Sequence, residues 1–183
     1  MNPAYFFLPH HSNNYRAKLL HHPNLLLLLI LLVVFGLGIN IVKASMPTVL
    51  GVATDISVKR LVELTNQERV SNGVAPLALN NQLSQAAWQK AQDMFSKNYW
   101  AHNAPDGRVP WVFITDNGYQ YIYAGENLAR DFDDSQGVVS AWMESSGHRQ
   151  NILSSNYQDI GFAVVNGKLN GKETTLVVQL FGT

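Results

Sequence analysis

Two imidazoles and one carboxylate are the groups in this chain best suited to chemistry. His102 opens the polar run His102-Asn103-Ala104-Pro105-Asp106-Gly107, Glu126 stands in Gly125-Glu126-Asn127, and His148 in Gly147-His148-Arg149. A neutral imidazole binds metals and exchanges protons near neutral pH, and a glutamate beside a histidine can act as a general base with a proton partner. Each residue also has a plainer use. His102 can stabilise its own turn, Glu126 can accept backbone N–H groups and pin the Gly-Glu-Asn loop, and His148 can cap a short helix over residues 149–153. Together they would equally serve as a buried polar network that fixes loop geometry. The chain contains no cysteine, which excludes a disulfide framework, a thiolate zinc site and a cysteine nucleophile. Any metal would have to be held by His, Asp, Glu or water.

The elements that must position these groups follow from periodicity. Leu61, Leu64, Thr65, Glu68 and Arg69 recur at spacings of three and four, which predicts a helix over 58–72 with Asp55 or Ser57 as its cap and Gly73 as its stop. Residues 74–80 read as an extended connector, because Pro76 biases Ala75 away from helix. A second helix is predicted over 82–97, with Leu83, Ala86, Ala87, Ala91 and Met94 or Phe95 as its buried stripe. In the Pro105-Asp106-Gly107 turn, proline presets φ and glycine takes a positive φ. Short helices are expected over 111–117 and over 135–144, the latter capped by Asp133 or Asp134. Residues 147–153 read as a loop or short helix. Residues 160–166 and 174–181 are rich in Val, Phe and Leu and predict a hairpin joined by a polar connector containing Gly167 and Gly171. Helices first and strands last imply an α+β domain, a sheet covered by helices. Trp142 reads as core. Tyr121 and Tyr123 either line a cleft or alternate on a strand. Gln179 is a strand residue expected to point into the same cavity as the histidines.

The amino-terminal part is different in kind. Hydrophobic residues make up 46% of the 183-residue chain and charged residues 14%, against roughly 25% charged in soluble domains. Residues 25–42, LLLLLILLVVFGLGINIV, supply much of that bias and are about the minimum length for a helix crossing a hydrocarbon core. Arg16 and Lys18 precede this segment, which favours an inside amino terminus. The expected organisation is a cytoplasmic tail over 1–24, a transmembrane helix or signal anchor over 25–43, a linker over 44–57 and an exported domain over 58–183. The alternative is secretion after cleavage near Ala44, where Val42-Lys43-Ala44 places small residues at the −3 and −1 positions. His10, His11, His21 and His22 in the tail could bind metal or be plain juxtamembrane polar residues. The formal net charge is zero and no basic stripe is present, so no nucleic-acid partner is expected.

Five strings in order carry a resemblance: LTNQERVSNGVAPLALNNQLSQAA, HNAPDG, GENLA, AWMESSGHRQNIL with YQDIGFAVV, and VVQLFG. Over residues 60–182 the chain resembles the CAP superfamily, in its bacterial SCP-like or YkwD-like branch. The resemblance implies a three-layer α–β–α sandwich and a cleft in which His102, Glu126 and the region of His148 converge. Animal members place two histidines and two glutamates there, and several bind zinc. His102 matches the first histidine and Glu126 the glutamate of the Gly-Glu-Asn motif. His148 matches the Gly-His-Arg histidine of bacterial members. Glu144 follows Trp142 by two residues, where the animal glutamate follows by three, and the last animal histidine falls where this chain has Val177-Val178-Gln179.

Two histidines and Glu126, if brought together, would form an open zinc shell with a place for water, whose pKa the metal would lower toward neutrality. Three functions follow as expectations: a binding module for a small envelope, lipid or glycan ligand, with His102, Glu126, His148 and Gln179 as contacts; a zinc-dependent hydrolase, possibly a peptidase, with Glu126 and His102 as catalytic groups; or a structural or interaction domain.

Overall fold

The computed structural model describes residues 7–11, 15, 17–45 and 55–183. The chain divides into two compact units, Met1–Leu50 and Gly51–Thr183.

In the first unit, α1 runs from His22 to Ser45, and its side chains from Leu25 to Phe35 are exposed. The apolar segment is therefore helical, and Ala44 and Ser45, expected in the linker, form its last turn. The described side chains of α1 end at Gly36. Among the described residues no helix is long and apolar enough to cross a membrane. Most of the linker expected over 44–57 lies outside the described residues.

In the second unit the order is α2 (Val58–Ser71), β1 (Ala78–Leu79), α3 (Asn81–Ser96), α4 (Pro110–Asp116), β2 (Ala124–Arg130), α5 (Ser135–Glu144), α6 (Ser146–Leu153), β3 (Asp159–Leu169) and β4 (Lys172–Gly182). Three helices begin on side-chain caps. Ser57 accepts from the Arg60 N–H, Asn80 from those of Gln82 and Leu83, and Asp134 from that of Gly137, each satisfying backbone donors that the first turn leaves unpaired. The hairpin of β3 and β4 turns on Asn170 and Gly171, at φ 51° and 76°. Two left-handed residues are what a two-residue turn with the native strand twist requires. The turn is therefore later than the sequence suggests, and Gly167 lies inside β3.

The sheet has the order β1-β3-β4-β2, with β1 parallel to β3 and the other pairs antiparallel. Its middle strands are apolar on both faces, because helices cover both. Leu176, Val178 and Leu180 of β4 join Leu83, Ala87, Met94 and Phe113 in one core on the α3 and α4 side. Val177 and Phe181 join Leu61, Leu64, Val139, Trp142 and Ile152 in the other, beneath α2, α5 and α6. The architecture is α+β in three layers, as expected. Gly161 sets how closely α3 lies on the sheet, since a Cβ there would fall 2.2 Å from the Leu83 carbonyl carbon.

The outer edge of β2 is closed by side chains. The carbonyls of Ala124, Glu126 and Leu128 accept from Tyr157 Oη, Asn151 Nδ2 and Trp142 Nε1 at 3.2, 3.1 and 3.1 Å. An edge so occupied is a poor template for pairing with another chain.

Candidate functional site

Glu126 is a strand residue, not a loop residue as the Gly-Glu-Asn motif suggests. It sits on β2 opposite Leu180, on the α3 and α4 face, and its side chain is 1% exposed. His102 comes from the segment joining α3 to α4 and is 58% exposed. Its Nδ1 lies 2.6 Å from Glu126 Oε1. A carboxylate oxygen can only accept here, so Nδ1 carries a proton, and in the neutral ring Nε2 is the free acceptor on the other edge. The bond to Glu126 raises the His102 pKa, against a smaller opposing effect of burial. The other carboxylate oxygen, Oε2, is buried with no hydrogen-bond partner.

The segment that carries His102 is held from below by a buried cation. Lys90 of α3 is fully buried; its Nζ donates to Tyr99 Oη at 3.0 Å, to the Ala101 carbonyl at 3.1 Å and to the His102 carbonyl at 2.5 Å. Tyr99 in turn donates to Asp93 at 2.7 Å. Burial lowers the Lys90 pKa, while the charges of Glu126 and Asp93 oppose that shift. The turn that follows is the expected one: Gly107 has φ 84°, and its N–H donates to the Ala104 carbonyl at 2.9 Å.

His102 and Glu126 open onto a cleft of about 340 Å3 at the edge of β2, with Pro110 and Trp111 as its apolar wall and Asn103 and Asn151 as its neutral polar groups. The backbone at Ala124 and Gly125 completes it. No hydroxyl or thiol nucleophile lines it. A hollow of about 450 Å3 elsewhere lies over one face of α2 and brings together no such set of groups.

His148 does not complete a triad. It lies in the first turns of α6, half-buried, and what it contributes to the network is its backbone carbonyl, which accepts from Asn127 Nδ2 at 3.2 Å. Burial lowers its pKa, with His102 adding to the effect. Nor does it cap the helix, which begins at Ser146. Among the described residues no group of three or more His, Asp or Glu side chains is placed to hold a metal ion. The shell of His102, His148 and Glu126 expected for zinc is thus not assembled, and Nδ1 of His102 is already committed to Glu126. Glu144, at the end of α5, is exposed and outside the cleft.

Gln179 also departs from expectation. It pairs with Asn127, not with Glu126, so the alternation of strand side chains sends it to the opposite face. There it is fully buried; its Oε1 accepts from Asn127 at 2.8 Å and its Nε2 donates to Thr65 at 3.2 Å. Asn151 Nδ2 joins this network by donating to Asn127 Oδ1 at 2.8 Å. A polar network does exist, but it runs behind the cleft through Asn127, Gln179 and Thr65. Tyr123 is exposed and Tyr121 half-buried, both ahead of β2 and neither lining the cleft.

Lys90, Trp111, Asn127 and Arg69 are the structural partners that sequence reading missed. Arg69 is buried and donates to the carbonyls of Ala75, Ile152 and Ser154 at 2.7, 2.6 and 2.8 Å, tying α2 to the end of α6. Both Lys90 and Arg69 fall within the three-and-four spacing of their helices' apolar stripes, which was the available signal.

Comparison with known proteins agrees with this architecture. The profile of the Cysteine-rich secretory protein family (CAP) matches residues 62–181. The chain is 44% identical over 107 residues to protein YkwD of Bacillus subtilis (strain 168), covering 58% of this chain and 42% of that protein. It is 31% identical over 108 residues to the B. subtilis membrane protein YlbC, covering 59% and 31% respectively. The chain thus spans less than half the length of either relative. Among solved structures, an extracellular SCP-domain protein of Bacillus anthracis aligns with TM-score 0.59 and 25% identity, over 68% of this chain and 39% of that one. An outer surface protein of Borrelia burgdorferi aligns with TM-score 0.61 and 20% identity, over 75% and 96%, a likeness of fold alone.

Proposed function

This chain belongs to the cysteine-rich secretory protein (CAP) family, and from that premise we propose that it is a binding module whose cleft takes a small ligand of the cell envelope. One observation carries the reading: an exposed imidazole, oriented by a buried carboxylate, forms the rim of an open cleft with an aromatic wall and neutral polar groups. The cleft volume falls near the lower end of the ~300–1,000 Å3 typical of ligand sites. His102 presents its Nε2 edge to a ligand, while Glu126 holds Nδ1 from behind.

A zinc hydrolase finds less support. Among the described residues the three expected donors are not assembled into a metal shell. The proposal places this domain outside the cytoplasm, as with the extracellular and surface proteins it resembles, and assigns the apolar helix α1 to anchoring it. The helical continuity of His22–Ser45 and the exposure of the apolar side chains from Leu25 to Phe35 support that role.

Saturation-transfer NMR on the full chain with a library of small neutral, acidic and lipid-like probes tests the binding role. Hits that compete with one another and vanish in His102→Ala are expected; an absence of hits, or hits indifferent to His102, overturns it. For the anchor, protease added to intact cells should digest residues 58–183 and spare the amino-terminal tail. Protection of the domain refutes the orientation.

A further inference from the structure

We propose that the ligand of the cleft is a neutral carbohydrate segment, recognised by stacking on Trp111 and by hydrogen bonds to His102 and Glu126. The inference rests on the binding role above and deepens it.

The chemistry of the walls argues for this class. Trp111 is half-buried, packed on one side against the α3 and α4 core while it lines the cleft. The face of an indole is electronegative, and the C–H bonds of a pyranose present a weakly positive apolar face to it. Pro110 widens the same wall. The polar groups are the uncharged amides of Asn103 and Asn151 and the Nε2 edge of His102. The one carboxylate is withdrawn behind the imidazole, where it pairs with His102 and faces the field of Lys90, so a charge on the ring is balanced by its own partner and the lining carries no unpaired charge to attract an ionic ligand. A long acyl chain would need a continuous apolar channel, whereas this cleft of about 340 Å3 mixes Pro110 and Trp111 with His102, Asn103, Glu126 and Asn151 in its lining. Oε2 of Glu126 is a buried acceptor without a donor, and leaving such a group unpaired costs about 1–3 kcal/mol. A hydroxyl entering beside the ring of His102 is small enough to supply that donor.

The test is a fluorescence titration of the full chain, held in a polyoxyethylene detergent that carries no sugar head group. The probes are chitotriose, cellotriose and decanoate below its micelle concentration. Saturable change with at least one trisaccharide is expected, with Kd on the order of millimolar, as for weak single-site contacts. Trp111→Ala should weaken binding at least about tenfold, Trp111→Phe should retain most of it, and His102→Ala should weaken it as well. Trp88→Ala, an exposed position on α3 outside the cleft, should leave it unchanged. If decanoate binds in a manner dependent on Trp111 while both sugars fail, the carbohydrate assignment falls and the binding role stands. If no probe binds, or if sugar binding ignores Trp111, the carbohydrate assignment is overturned; failure of every probe counts against the binding role too.

Discussion

Lys90 and His102 are joined back to side chain: the buried ammonium of Lys90 donates to the carbonyl of His102 at 2.5 Å, while the side chain of His102 is held by Glu126. The residue at the rim of the cleft is therefore fixed twice, through its backbone by a buried cation and through its imidazole by a buried anion. The two ions sit near enough for each to feel the other's charge and share one stretch of chain as their common partner.

Lys90→Met is expected to destabilise the domain by about 3 kcal/mol or more. The substitution preserves volume but leaves Tyr99 Oη and two carbonyls without their donor and Glu126 without its countercharge, and removing one member of a buried charged set costs roughly 3–5 kcal/mol. Urea unfolding followed by circular dichroism measures it. A loss under about 0.5 kcal/mol, the range of an ordinary surface change, would show that Lys90 does not tether the segment.

The two histidines of the domain should titrate on opposite sides of the ordinary value of 6.5, His102 above it and His148 below. For His102 the folded pKa exceeds the unfolded one. Its pairing with Glu126 thus stabilises fully below pH 6.5, and that contribution fades as pH rises through the folded pKa. For His148 the sign is reversed: the fold favours the neutral ring, and stability declines as pH falls from 6.5 through its folded pKa. Proton NMR of the ring Cε1–H signals against pH reads both. Glu126→Gln should bring the His102 midpoint down while leaving its signal sharp. A His102 midpoint at or below that of His148 would mean that the carboxylate does not hold the ring in solution.

What could be read from the chain, and what could not, divides along physical lines. The helices of the domain were legible because their caps and stripes are local: Ser57 and Asp134 each bond within three residues, and Asn80, read only as the end of the connector, caps α3 in the same way. β2 was not. Ala-Gly-Glu-Asn-Leu-Ala-Arg has no β-branched or aromatic residue, so its extended form owes nothing to propensity and follows from pairing with β4 and from Tyr157, Asn151 and Trp142 along its outer edge. The face of Gln179 was hidden for a related reason. Its neighbours Val177, Val178 and Leu180 are apolar on both faces of a doubly covered strand, so alternation gives no mark of which side is which. The pairing of His102 with Glu126 was reachable only through the resemblance, as the two are 24 residues apart and on different elements.

Gly161→Ala should be among the most damaging single-methyl changes in the domain. Its Cβ would lie 2.2 Å from the carbonyl carbon of Leu83 and 2.4 Å from the Ser84 nitrogen. Backbone cannot retract as a flexible side chain can, so α3 would have to lift from the sheet. Overpacking typically costs about 1–3 kcal/mol, and a clash with backbone puts this change at the upper end of that range. Gly147→Ala is the matched control: it lies within α6 with no atom inside 4 Å of the new methyl. It should be neutral or stabilising by about 0.5 kcal/mol through helix propensity. Equal effects of the two in thermal unfolding would contradict the close approach of α3 to β3.

Added zinc should leave the melting temperature of the domain unchanged. Ligand present at a hundred times its Kd stabilises a protein by about 2.7 kcal/mol, enough to move a domain of this size by several degrees, so even a micromolar site would declare itself at modest zinc concentration. The geometry argues against one. His102 offers a single free nitrogen because Nδ1 is bound to Glu126, that carboxylate is buried behind the ring, and His148 is not gathered with them into a donor set. For Glu126 itself to become a zinc ligand, the imidazole would have to leave it, surrendering a charge-assisted bond of about 1.5–3 kcal/mol; with the pair intact, Nε2 of His102 is a single donor, short of the set a zinc site needs. Differential scanning calorimetry with equimolar and tenfold zinc, on the native chain and on His102→Ala, decides the matter. A rise seen only in the native chain would mean that His102 is a zinc ligand and that the cleft gathers further donors around it.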